Sequence, residues 1–219
     1  MNLTHVFWDW NGTLLDDAYA SYLAVLDMLA TRNLPSITFE QYRDYIDIPI
    51  IKFYEKVMDV SKENINDLSV EFNRFYDFHL GESPLNNGAK ETLQRLSQMG
   101  VKQYIFSSNK NALIRPYLEK LGISRHFTAV LGSDDCHVGS KVERTLNYVK
   151  TNNISPQKCL FVGDMVHDSE VAEAVGANCV LLSVGHQSER ALNSSGRKIL
   201  NSFPALAEYI IKDLSTTGV

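Results

Sequence analysis

Three aspartates stand at or just beyond the ends of apolar runs. Asp9 closes "THVFWD", and Asp164 and Asp168 lie in "FVGDMVHD". A third run, "KQYIFS", leads into Ser107, Ser108, Asn109 and Lys110. Carboxylates are hard oxygen ligands that suit Mg²⁺, an ion that keeps several waters and joins a few carboxylates to substrate phosphate. Ser108 and a lysine would supply donors to the phosphate oxygens. Taken singly, each residue has an ordinary use: Asp behind a strand caps a turn or helix, Ser-Asn is loop chemistry and Gly-Asp is a turn pair. The chemistry therefore depends on the elements that bring them together.

Five short apolar runs bounded by Gly, Ser, Asn or Asp predict buried strands: 4–8, 102–107, 127–132, 158–163 and 178–184. None alternates polar with apolar, which suits a parallel sheet covered on both faces. Between them lie helical patterns with recognisable ends. "AKETLQRLSQMG" puts Leu93, Leu96 and Met99 on one stripe and stops at Gly100. "NALIRPYLEKLG" does the same with Ile114, Tyr117, Leu118 and Leu121, stopping at Gly122, with Pro116 expected near the first turn or at a kink. "DSEVAEAVG" ends at Gly176. From residue 84 onward helix and strand alternate, the signature of an α/β fold with a doubly wound parallel sheet. In such sheets ligands bind beyond the carboxyl ends of the strands, where these residues fall.

Residues 17–83 break the alternation. Tyr22, Leu23, Leu26, Leu29 and Ala30 share a helical face, Thr38 and Gln41 form a capping box, and Ile65, Leu68, Phe72, Phe75 and Tyr76 line up on a later stripe. An all-helical insert is expected there, splitting a core made of 1–16 and 84–219.

The 219 residues suffice for one large core plus a smaller insert. Hydrophobic residues at 44% and charged residues at 21% describe an ordinary globular chain. A net charge of −5 offers no general basic field for a nucleic-acid backbone, so no nucleic-acid partner is expected. Cys136, Cys159 and Cys179 show no CxxC spacing and are odd in number, which fits a reducing compartment. No stretch approaches the ~20 apolar residues that span a bilayer, and no basic segment precedes an apolar one at the start. The expectation is a cytoplasmic protein without a membrane partner.

"FWDWNGTLL", "YIFSSNK", Lys141 and "FVGDMVHD", in that order, resemble the four motifs of the haloacid dehalogenase-like hydrolase superfamily. The segment "GANCVLLSVGHQS" is similar to the stretch after the last motif in that group, and the helical insert resembles the cap domain of its phosphoglycolate phosphatase-like members. The resemblance implies a Rossmann-like core with a helical cap and a Mg²⁺-dependent phosphatase acting on a small phosphorylated metabolite, as a monomer or homodimer. It implies that Asp9 attacks phosphorus to form an aspartyl-phosphate. It implies that Asp9, the backbone carbonyl of Asn11 and Asp164 hold Mg²⁺, with Asp168 acting from behind them or through water. Ser108 and Lys141 would bind phosphoryl oxygens, and backbone N–H groups near Asn11, Gly12 and Asn109 would complete the cradle. "GSKVERTLNYVK" lacks the proline that usually follows the lysine in this family, and Lys110 is the substitute to consider.

Asn11 stands where such phosphatases usually carry the Asp that protonates the leaving group and activates water. An amide does neither, and losing general acid–base catalysis typically costs ~10²–10⁴ in rate. Three readings result: a phosphatase of reduced power that favours acyl or aryl phosphates or recruits another acid; dehalogenase or phosphonatase chemistry; or phospho-ligand or partner binding without turnover. A dehalogenase needs no Mg²⁺, so Asp164 and Asp168 speak against it, and a phosphonatase needs a reactive cap lysine, whereas Lys52 and Lys56 read as solvated helix charges. The residues favour the first.

Among the histidines His5, His79, His126, His137, His167 and His186, no pair has zinc-site spacing. His167 and His186 lie where a leaving group could be reached. "GSK" at 139–141 lacks the glycine spacing of a nucleotide P-loop. Phe72, Phe75, Tyr76 and Phe78 read as core rather than as a base-stacking platform.

Overall fold

The computed structural model describes residues 3–81, 83–133 and 141–216; Cys136, His137, Gly139 and Ser140 lie outside them. Strand β1 (His5–Trp8) is followed by helices α1 (Ala18–Thr31), α2 (Phe39–Tyr45), α3 (Ile51–Val57) and α4 (Ile65–Leu80). Then come α5 (Ala89–Gln98), β2 (Lys102–Lys110), α6 (Asn111–Lys120), β3 (Phe127–Ser133), α7 (Lys141–Thr151), β4 (Cys159–Gly163), α8 (Val166–Val175) and β5 (Asn178–Leu182). The chain closes with α9 (Glu189–Leu192), β6 (Lys198–Leu200) and α10 (Phe203–Thr216). The six strands form one wholly parallel sheet in the order β3-β2-β1-β4-β5-β6. The order reverses at β1, so the crevice between the carboxyl ends of β1 and β4 is the topological switch point at which such sheets bind ligands.

Successive strand residues face opposite layers. Val6 and Trp8 join Ile105, Leu160, Val162 and Leu93 on one face, while Phe7 joins Tyr104, Phe106 and Phe161 on the other. Both faces are covered, which explains the unbroken apolar runs. A third cluster, built on Val25, Met28, Tyr42, Phe53 and Leu68, belongs to α1–α4.

The five expected strands are present; β6 is a three-residue edge strand that the runs did not signal. β2 extends through Ser108 and Asn109 to Lys110, across a register irregularity after Phe106, where a loop was expected. Gly100 and Gly122 follow α5 and α6 with left-handed φ of +76° and +67°. Pro116 sits in the second turn of α6 rather than the first. Met99, placed on the buried stripe of α5, is exposed because it caps that helix.

The Thr38/Gln41 capping box forms as expected. The stripe expected on α1 is displaced: its buried residues are Ala18, Ala20, Ser21, Ala24, Val25, Met28 and Leu29, and Ala30 faces solvent. On α4, Leu68 is buried and Phe72 and Phe75 pack beside it, but Ile65 is exposed because it opens the helix beyond that cluster. Phe78, expected in the core, is 79% exposed, since it stands on the outer face of α4. No helix among the described residues is long and apolar enough to cross a membrane.

Candidate active site

β1 delivers Asp9 to the switch point, where its N–H donates to the Val162 carbonyl at 2.9 Å and ties it to the end of β4. Beyond Asp9 the backbone reverses through Gly12 at φ +71°; a Cβ there would collide with the Asp164 carboxylate and the His186 ring. Glycine is therefore required on two counts, left-handed backbone and close approach. Asn86 holds the turn from outside, donating to the Gly12 and Thr13 carbonyls at 3.0 and 2.8 Å.

Asp164 follows β4 and is fully buried. Its carboxylate accepts the Thr13 hydroxyl and the His186 backbone N–H, each at 2.6 Å. Asp168 lies on the first turn of α8, and one of its oxygens accepts the Asp164 and Met165 N–H groups at 3.1 and 3.0 Å. Its other oxygen takes the Lys141 ammonium at 2.7 Å. Lys141 opens α7, and its ammonium also donates to Asp9 while lying 4.2 Å from the Phe106 ring centre. Lys141 thus reaches Asp9, whereas Lys110 is exposed at the end of β2.

Two carboxylates, Asp9 and Asp168, face the Lys141 ammonium in this buried cluster, and Asp9, Asp164 and Asp168 each bring an oxygen within 4.8 Å of the others. Burial pushes the Asp9 carboxyl up to about 8, against the pull of Lys141 and with the help of Asp168 and Asp164. Burial likewise raises Asp164 to about 6, although His186 opposes it and Asp168 adds to it. Burial alone would lower Lys141, but the charges of Asp168 and Asp9 hold it above the usual lysine range. The surplus negative charge on hard oxygen donors fits a divalent cation such as Mg²⁺.

A second network joins this loop to the helical insert. Asp17, buried at the start of α1, accepts the Gly12 N–H at 2.6 Å on one oxygen. On the other it accepts the Asn11 amide at 2.7 Å and the Tyr76 hydroxyl at 2.6 Å. Burial would raise Asp17, but the charge of the neighbouring His186 imidazole and hydrogen bonds from Tyr76 and Asn11 hold it below the usual carboxylate value. His186 lies 3.6 Å from Asp17 and 2.9 Å from the Tyr42 hydroxyl. Despite its burial it is raised well above the ordinary imidazole value by Tyr42, Asp17 and Asp164.

Asn11, Ser108, Asn109, Asp17, Tyr76 and His186 open onto one cavity of about 380 Å³ beneath the helical insert. Asn109 approaches Asn11 at 3.5 Å. His167, by contrast, pairs with Glu170 at 2.9 Å outside this cavity. Lys52 and Lys56 are turned to a separate groove at the side of α3. Asp9, Asn11, Gly12, Ser108, Asn109, Lys141, Asp164 and Asp168 therefore meet at one end of the sheet. Asp17, Thr13, Tyr76 and Asn86 join them and were not singled out from the sequence. "LLDD" reads as ordinary helix-start acid, and Tyr76 as one more apolar position on α4.

A doubly wound parallel sheet with carboxylates and an ammonium at its switch point defines an α/β protein of the kind that handles anionic groups. Residues 6–182 match the family model described as haloacid dehalogenase-like hydrolase, and the chain belongs to that family. A phosphoglycolate phosphatase of Pseudomonas fluorescens is 27% identical over 209 residues, 92% of this chain and 74% of that one. A phosphoglycolate phosphatase of Vibrio parahaemolyticus is 25% identical, covering 94% of this chain and 95% of its own. A haloacid dehalogenase-like family protein from Streptococcus pneumoniae has the same fold, with a TM-score of 0.81 at 18% identity, covering 95% of this chain and 99% of that one.

Proposed function

We propose that this hydrolase is a Mg²⁺-dependent phosphomonoesterase acting on a small phosphorylated metabolite in the cytoplasm through an aspartyl-phosphate on Asp9. The supporting observation is the Asp9 carboxylate at the switch point, ion-paired to a buried Lys141 that Asp168 orients from behind. Asp9, Asp164 and the Asn11 carbonyl would hold Mg²⁺, with Asp168 acting from behind them. Bound there, the ion supplies the positive charge that lets a phosphate dianion approach a carboxylate.

An Asp9 oxygen attacks phosphorus, and the bond from phosphorus to the ester oxygen breaks. Water then cleaves the acyl phosphate, so that one water supplies the hydroxyl that ends on phosphate and the proton that ends on the alcohol. Lys141, Ser108 and the N–H groups around Asn11, Gly12 and Asn109 bind the transferring oxygens. Residues 17–83 act as a cap that closes over the crevice and excludes water. Phosphoglycolate, after which relatives are named, belongs in the first substrate panel.

Asn11 supports a second reading, phospho-ligand binding with little turnover, because its amide is held as a donor to Asp17 rather than offered as an acid. Phosphate release from acetyl phosphate separates the two. The phosphatase reading expects release that EDTA stops and Asp9→Asn abolishes. Ligand binding without release supports the second reading.

A further inference from the structure

Resting on the phosphatase reading, we infer that the preferred substrate is a phosphomonoester of an uncharged, apolar or aromatic alcohol, and that the cap cavity discriminates against esters bearing a second anionic group. The inference comes from the residues lining the space where the leaving group must lie. The phosphoryl end is fixed by the residues that meet at Asn11, Ser108 and Asn109, so the remainder of the ester projects into the cavity under the insert. Its wall there is Val25, Ile46, Ile48, Ile50, Phe72 and Met165. Tyr42, Tyr54 and Tyr76 add ring surface, with hydroxyls already engaged at Tyr42 and Tyr76, and Ser21 and Asn73 add neutral polar groups.

No described residue lining this cavity is a lysine or arginine. The imidazole there, His186, is matched with the Asp17 carboxylate and the Tyr42 hydroxyl, and Lys141 is engaged at the phosphoryl end by Asp9 and Asp168. Among the described residues, a carboxylate on the leaving group would therefore enter an apolar space with no free cation and with Asp17 on its wall. Desolvating such a group without a partner is costly. Volume points the same way. At roughly 380 Å³ the cavity lies in the range of sites that take drug-sized ligands and exceeds what a two-carbon acid needs. A ring-sized group would fill it against aromatic and aliphatic walls.

The test compares benzyl phosphate with 4-carboxybenzyl phosphate and 2-phosphoglycolate, under Mg²⁺, on the full chain. The two benzyl esters share a leaving-group type and differ in one charge. We expect kcat/KM for benzyl phosphate to exceed both others by about tenfold or more, the discrimination an apolar pocket commonly gives against an unpartnered polar group. Asn73 stands exposed on α4 at the cavity rim, and Asn73→Arg supplies the missing cation. It should move the benzyl to carboxybenzyl ratio about tenfold toward the charged ester. Acetyl phosphate, whose leaving group is too small to use the walls, reports on the chemistry alone. If it is turned over while 2-phosphoglycolate or 4-carboxybenzyl phosphate matches or outruns benzyl phosphate, the substrate class is wrong and the phosphatase reading stands. If no ester or acyl phosphate is turned over, both fall.

Discussion

Replacing Asn11 by aspartate restores the carboxylate expected at that position, but here it places a second acid against Asp17. The Asn11 amide nitrogen lies 2.7 Å from an Asp17 oxygen. Two ionised carboxylates at that separation would repel by about 6 kcal/mol at an effective dielectric constant of about 20. The pair has a cheaper course, taking up one proton and sharing it, so that the new hydroxyl donates where the amide did. At pH 7 that uptake costs a group of ordinary pKa near 4 at most about 4 kcal/mol, at ~1.4 kcal/mol per unit. His186, 3.6 Å from Asp17, takes part of it. The sign comes from linkage: the new carboxyl has a raised folded pKa, so its stability contribution is complete below about 4 and is lost as pH rises. Asn11→Asp should therefore be nearly neutral at pH 4.5 and progressively destabilising toward pH 7.5, read as urea unfolding against wild type. Exchanging both residues, Asn11→Asp with Asp17→Asn, should recover most of the loss. A destabilisation independent of pH, or a double exchange no better than the single, would contradict a proton shared with Asp17.

Mg²⁺ should raise the melting temperature, and more at pH 8.5 than at pH 5.5. Asp9 and Asp164 have folded pKa values raised to about 8 and about 6, so the metal-free protein loses their contribution across that window, and the deprotonated cluster is what the cation relieves. An equal or larger shift at pH 5.5 would count against it. Lys141→Met removes the ammonium that pairs with two buried carboxylates, Asp9 and Asp168, and should destabilise the protein in EDTA by about 3–5 kcal/mol, with part recovered by Mg²⁺. Denaturation with and without the ion measures both. Tyr76→Phe removes one donor from the buried Asp17 and should cost about 1–3 kcal/mol in the same assay.

How far the sequence was legible depended on which interactions are local. Strands covered on both faces must be apolar throughout, so β1 to β5 stood out, and the rule that ligands lie beyond parallel strand ends led from them to Asp9, Ser108 and Asp164. The Thr38/Gln41 cap spans three residues and was equally plain. β6 was hidden because three residues carry no pattern. The face of α1 was misjudged because that helix is apolar on nearly every side, so periodicity does not select the stripe that packs on α4. The Asp17 network was hidden for another reason: Tyr76 reaches Asp17 across 59 positions, and nothing near either residue announces the pairing. That network also gives Asn11 its local role, as the donor that joins the Asp9 loop to the first helix of the insert.

In the proposed mechanism Asp9 becomes phosphorylated. Acid-quenching the protein during turnover of acetyl phosphate with Mg²⁺, then mass spectrometry of the peptide containing Asp9, tests it directly. The expected result is a phosphoryl adduct on Asp9 that is absent from Asp9→Asn and from the EDTA control. Phosphate release that persists in Asp9→Asn, or an adduct on another residue, would contradict it.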